Sequence, residues 1–78
     1  MATRATNGEA IRSMRKMLGI RQDALAARSG ISAPWLSKIE NGTAVPELET
    51  ARRIADSLGV KLEAITYPVP DPTMAASA

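Results

Sequence analysis

Residues 22–42, QDALAARSGISAPWLSKIENG, decide the fold. Gln22 to Ser29 is rich in helix formers, carries Asp23 in its first turn to complement the helix dipole, and stops at Gly30. Ser32 is a strong N-cap for a second segment. Pro34 falls in that segment's first turn, where a missing N–H costs little because those amides lack intrahelical acceptors. Leu36 and Ile39 are apolar three apart, and Asn41-Gly42 ends the segment. The spacing predicts helices over about 22–29 and 33–41. Two helices joined by so short a turn meet at about 90–120° only under certain conditions. The first must present a small residue where the second crosses it, and Ala26 fits. The turn needs a residue tolerant of positive φ, and Gly30 fits. Apolar residues must anchor both helices to one core; Leu25, Ile31, Leu36 and Ile39 do so.

Working outward, Asn7 is a good N-cap with Glu9 in the turn after it, and Ile11, Met14 and Leu18 recur at helical spacing before Gly19. A helix over about 8–18 is expected. On the other side, Thr43 to Pro46 is a loop. Leu48, Ala51, Ile54, Ala55 and Leu58 then form an apolar stripe that ends at Gly59. Leu62 and Ile65 suggest a fifth, short helix at about 61–66. Residues 1–7 lack periodicity and read as a flexible arm, and 68–78, with alternate prolines, as a flexible tail. No strand pattern stands out. The expectation is an all-α fold of five helices, with one domain over 8–67.

The chain has 78 residues, enough for one compact core. It is 45% hydrophobic but only 3% aromatic, so that core must be aliphatic. Cysteine and histidine are both absent, which excludes disulfides, thiol nucleophiles, Cys/His zinc sites and histidine general bases. Serines and threonines have no evident basic partner and the carboxylates lack metal spacing, so neither an enzyme nor a bound metal or cofactor is expected. The longest apolar run is Ala24 to Ala27, far short of a membrane span, and no signal-peptide stretch follows the N-terminus. A cytoplasmic protein without membrane contact is expected. The net charge is +2, but residues 1–21 hold Arg4, Arg12, Arg15, Lys16 and Arg21 against Glu9 alone. Charge of that kind suits either a polyanionic partner or a solvated helix face.

Taken together, these residues resemble the helix-turn-helix of the phage Cro and repressor type, the XRE family. The likeness is carried by Ile11-Arg12 with Met14-Arg15, Leu18 to Gln22 with Leu25-Ala26, Gly30-Ile31-Ser32, Leu36 to Gly42, Pro46, Leu48-Glu49-Thr50, Ile54-Ala55 and Leu58-Gly59-Val60. It runs over about residues 8–66. The resemblance implies a five-helix, lambda-repressor-like domain with its helix-turn-helix at about 22–41. It further implies a transcriptional regulator that reads double-stranded DNA by placing 33–41 in the major groove. A helical bundle without a nucleic-acid role is the plainer alternative.

The resemblance also assigns roles. Base contacts fall at Ala33, Pro34 and Lys38, with Ser37 beside them and Ser32 at the helix mouth. Lys38 suits guanine O6 or N7, and otherwise a phosphate or solvent; Ala33 and Pro34 suit a thymine methyl. With so few donors, part of the specificity is expected from DNA shape. Trp35 faces either a phosphate or the core. Gln22 matches a phosphate contact, helped by the helix N-terminus. Arg21 departs from the usual Ser or Thr cap and adds a cation. Asn41, Gly42 and Thr43 offer donors to the other flank, or are turn chemistry. Arg15 and Glu40 match a partly buried structural ion pair. Lys61 again replaces a usual capping residue.

Family members usually act as two-fold dimers, so a homodimer is expected, with Val60, Leu62, Ile65 and Tyr67 as its interface or else as closure of the monomer core. A Cro-like repressor or a restriction-modification controller is the leading reading. An antitoxin that binds a toxin and its own promoter is the alternative, and an adaptor without DNA contact a third.

Overall fold

The computed structural model describes residues 3–69. Among them lie four α-helices: α1 (Gly8–Met17), α2 (Gln22–Ser29), α3 (Ala33–Asn41) and α4 (Leu48–Leu58). A single 3-10 turn, Leu62–Ile65, follows α4. Two short strands, β1 (Thr3–Thr6) and β2 (Thr66–Val69), pair antiparallel with Thr3 opposite Val69 and Thr6 opposite Thr66. None of these helices is long and apolar enough to cross a membrane.

The caps explain the boundaries. The Asn7 side chain accepts from Ala10 N–H at 3.0 Å, and the Ser32 hydroxyl accepts from Trp35 N–H at 3.2 Å. Gly30 ends α2 at φ 73°, a conformation that costs a residue with a Cβ, and Ile31 N–H then donates back to Ala26 C=O at 3.0 Å. After that reversal the chain enters α3. Each helix contributes to one aliphatic core in which Ile11, Leu25, Leu36, Ile39, Ile54 and Ile65 are essentially inaccessible. Burial of each such side chain contributes roughly 1.5–3 kcal/mol before conformational entropy is counted. Ala26 is buried where the expected helix crossing requires a small residue.

Two expectations are corrected. The fifth helix is one 3-10 turn, and the fold is mostly helical rather than all-α. Lys61 provides no side-chain cap for that turn, while Pro68 lacks an N–H and biases Tyr67 toward extended backbone. The Thr66 hydroxyl donates back to Leu62 C=O at 2.9 Å, and the chain leaves as a strand. Its partner comes from the residues expected to form an unstructured arm. Arg4 secures the pair: Nε donates to Thr66 Oγ1 at 2.7 Å and Nη2 to Thr66 C=O at 3.3 Å. Of the Pro-rich stretch 68–78, residues 70–78 lie outside the described residues.

Helix α1 meets α3 at very close range. A Cβ on Gly8 would run into the backbone carbonyl of Ile39 and press on that of Glu40. This glycine is thus required by packing between helices rather than by φ.

Candidate nucleic-acid interface

An α-helix turns about 100° per residue, so the buried side of α3 fixes its outer side. Leu36, Ile39 and Glu40 point inward and are buried. The opposite ridge is then Pro34, Lys38 and Asn41, at i, i+4 and i+7, and all three are exposed. Trp35 and Ser37 flank it. Trp35 is 39% exposed, neither sealed in the core nor fully solvated, and Ser37 is half-buried. Ala33 is half-buried and packs against the core, which draws it back from the outer ridge where base contacts were expected.

Three devices hold this helix rigid. Ser32 caps its start, so the Ser32 hydroxyl is occupied by the Trp35 amide. At its end, Gly42 adopts φ 80°, and the Thr43 N–H and hydroxyl both donate to Lys38 C=O, at 2.9 and 3.2 Å. The expected Thr43 side-chain donor is therefore already engaged in closing the helix. On the inner side, Arg15 grips Glu40 in two parallel bonds, Nε to Oε2 at 2.8 Å and Nη2 to Oε1 at 3.1 Å. The two side chains are 11% and 2% exposed, and Arg15 Nη1 also donates to Ile20 C=O at 3.0 Å. Bidentate geometry is the strong form of this pairing.

Gln22, the first residue of α2, joins that network. Its amide Nε2 donates to Glu40 Oε1 at 3.3 Å, which ties the start of α2 to the end of α3. One N–H of the same amide group remains for another acceptor. Arg21 is highly exposed, its side chain 84% accessible, and lies 3.3 Å from Asp23 across a surface pair of small energetic weight. It makes no side-chain cap for α2. Among the described residues, Lys38 has no carboxylate within ion-pair distance.

Arg12 was not singled out from sequence. It lines a cleft with Gly8, Glu9, Glu40, Asn41 and Gly42, so it stands beside the C-terminal end of the α3 ridge. The excess of basic residues over 1–21 was the available signal, but it did not tell Arg12 from Arg4, which is tied to β2.

The residues expected at a dimer interface divide. Ile65 is wholly inside the core of the single chain, so its proposed place on an interface is withdrawn: its side chain fills the space among the helices. Val60 and Leu62 are partly buried against that core, while Tyr67 is 48% exposed on β2.

The chain is 36% identical over 61 residues to the HTH-type transcriptional repressor RghR of Bacillus subtilis, covering 77% of this chain and 45% of that protein. It thus spans less than half the length of that relative. Its structure superimposes on the P22 c2 repressor solved in complex with a synthetic operator, with TM-score 0.70 and 33% identity over 74% of this chain and 88% of that one. It has the fold of the restriction-modification controller protein C.AhdI of Aeromonas hydrophila, with TM-score 0.71 and 24% identity over 73% and 86% of the two chains. The helix-turn-helix family HTH_3 matches residues 11–65, from the first buried isoleucine of α1 to the last one before β2. The chain belongs to that helix-turn-helix family.

Proposed function

We propose that this chain is a sequence-specific, double-stranded DNA-binding transcriptional regulator that acts in the cytoplasm. It inserts α3 into the major groove and works as a two-fold dimer on an inverted repeat. The observation that carries the reading is the outer ridge of α3: Pro34, Lys38 and Asn41 stand exposed on a helix whose opposite side is buried and clamped. An α-helix with its side chains is about 10–12 Å across, close to the roughly 12 Å width of the major groove. The relatives and the operator-bound repressor support the same reading.

In this account Lys38 donates to guanine O6 or N7, Pro34 meets a thymine methyl, and the half-exposed Trp35 donates its indole N–H to a phosphate. Arg21, the free N–H of Gln22, Arg12 and the Asn41 side-chain amide take phosphates near the end of the helix that carries Glu40. The Arg15–Glu40 pair also keeps a carboxylate neutralised close to the phosphate path. The ridge offers few hydrogen-bond donors, so DNA deformability supplies part of the selectivity.

Titration of labelled duplexes across a salt series tests the proposal. Binding should tighten steeply as salt falls, with log K linear in log salt at a slope of about −0.9 per neutralised phosphate. No binding to any duplex at low salt overturns it.

A further inference from the structure

The two edges of the β1–β2 ribbon are not alike. Asn7 N–H donates to Ile65 C=O at 2.7 Å, one step beyond the Thr6–Thr66 pair. Antiparallel strands alternate between bonded and non-bonded pairs. Ala5–Tyr67 is therefore a bonded pair, and Arg4–Pro68 and Thr6–Thr66 are not. The backbone groups of residues 66 and 68 then face outward on β2, and those of residues 4 and 6 face outward on β1. The β2 edge is blocked, because Pro68 has no N–H to offer and Thr66 C=O accepts from Arg4 Nη2. The β1 edge is open. Among the described residues neither Arg4 nor Thr6 has a backbone partner beyond the ribbon.

We propose that the β1 edge is a self-association surface whose occupant is β1 of a second copy. This rests on the two-fold dimer proposed above and names its contact. Set antiparallel about an axis at Ala5, Arg4 lies opposite the partner's Thr6 and Thr6 opposite the partner's Arg4. The four outward N–H and four outward C=O groups then close four hydrogen bonds, leaving none over. Ala5 meets the partner's Ala5 in the close, non-bonded position, where two small side chains pack without crowding. Tyr67, opposite Ala5 on the other side, is exposed in the single chain and would extend an apolar row across the four strands. The Arg4 guanidinium is turned toward Thr66, away from the axis, which lessens repulsion between the two copies. Residues 70–78 are poor material for this place. The nine that follow Val69 open with Pro70-Asp71-Pro72, end Ala75-Ala76-Ser77-Ala78, and hold one β-branched residue, Thr73. Blocking one edge and leaving the other open is how a strand pair that must join once, and no further, would be built.

Sedimentation equilibrium of the whole chain without DNA, up to NMR concentrations, tests this together with amide hydrogen exchange. The weight-average mass should climb toward that of two chains, and the Arg4 and Thr6 amides should slow at least tenfold over the same range. Thr6→Pro removes an outward donor but none of the ribbon's own bonds, and Ala5→Glu sets two like charges opposite each other. Both should stay monomeric, with circular dichroism and melting matching those of the unaltered chain at concentrations where it too is monomeric. The proposal is overturned by a monomer at every concentration. A dimer whose Arg4 and Thr6 amides exchange freely, or unaltered dimerisation of a folded Thr6→Pro or Ala5→Glu variant, overturns it equally. Duplex binding is read separately, so a dimer that ignores DNA sinks the regulator reading and leaves this one standing.

Discussion

Lys38 occupies the middle of the α3 ridge and is the long donor on that face. If it reads a guanine, Lys38→Ala should relax preference at one base pair per half-site by about 1–3 kcal/mol, with other positions unchanged. Competition titrations with singly substituted duplexes measure this, and an equal loss on every sequence would make Lys38 a phosphate contact instead. Glu40 poses a different problem, because its carboxylate is buried and depends on Arg15. Arg15→Met should destabilise the fold by about 3–5 kcal/mol in denaturant unfolding, since it leaves a lone buried charge with only Gln22 to help. Replacing both partners, Arg15→Met with Glu40→Leu, should recover most of that loss. Gly8 is constrained by the Ile39 carbonyl, so Gly8→Ala should cost about 1–3 kcal/mol in the same assay despite alanine's better helix propensity.

At the scale of elements, the cap on α3 is the simplest to test. Ser32→Ala removes the acceptor for Trp35 N–H and should cost about 1 kcal/mol of stability in thermal melts. The start of α3 should fray first, seen as faster amide exchange at Trp35. The helices were legible because their signals are local: Asn7, Ser32, Gly30, Gly42 and Gly59 each act within a turn of their own position. The ribbon was not, because Thr-Arg-Ala-Thr has no apolar alternation and its partner lies about sixty residues away. Pro68 reads as a helix breaker in sequence, yet its missing N–H falls at an edge position that a strand tolerates. Ile65 was misplaced for a related reason. Two apolar residues three apart show that one side is buried, but not whether their own chain or a second one covers it. Gly8 and the Gln22–Glu40 bond were invisible, since both arise only when α1, α2 and α3 meet.

For the whole molecule, the division of labour is between an aliphatic core and one exposed ridge. Residues from α1, α2, α3, α4 and the 3-10 turn share a single core, so the orientation of α3 is set by the entire fold rather than by its own sequence. The net charge of +2 is small, and what matters is its placement: Arg12 beside Asn41 at one end of the ridge, and Arg21 beside Gln22 at the start of α2. A duplex laid along α3 would meet Lys38 in the middle of the ridge and cations near the end of the helix that carries Glu40. The most direct test is a map of backbone amide shifts in the 15N-labelled chain as duplex DNA is added at low ionic strength. Shifts should concentrate on residues 33–43 and on Arg21 and Gln22, with the outer side of α4 around Glu49 and Arg52 little changed. A spectrum that does not respond, or one in which α4 responds and α3 does not, would contradict the account.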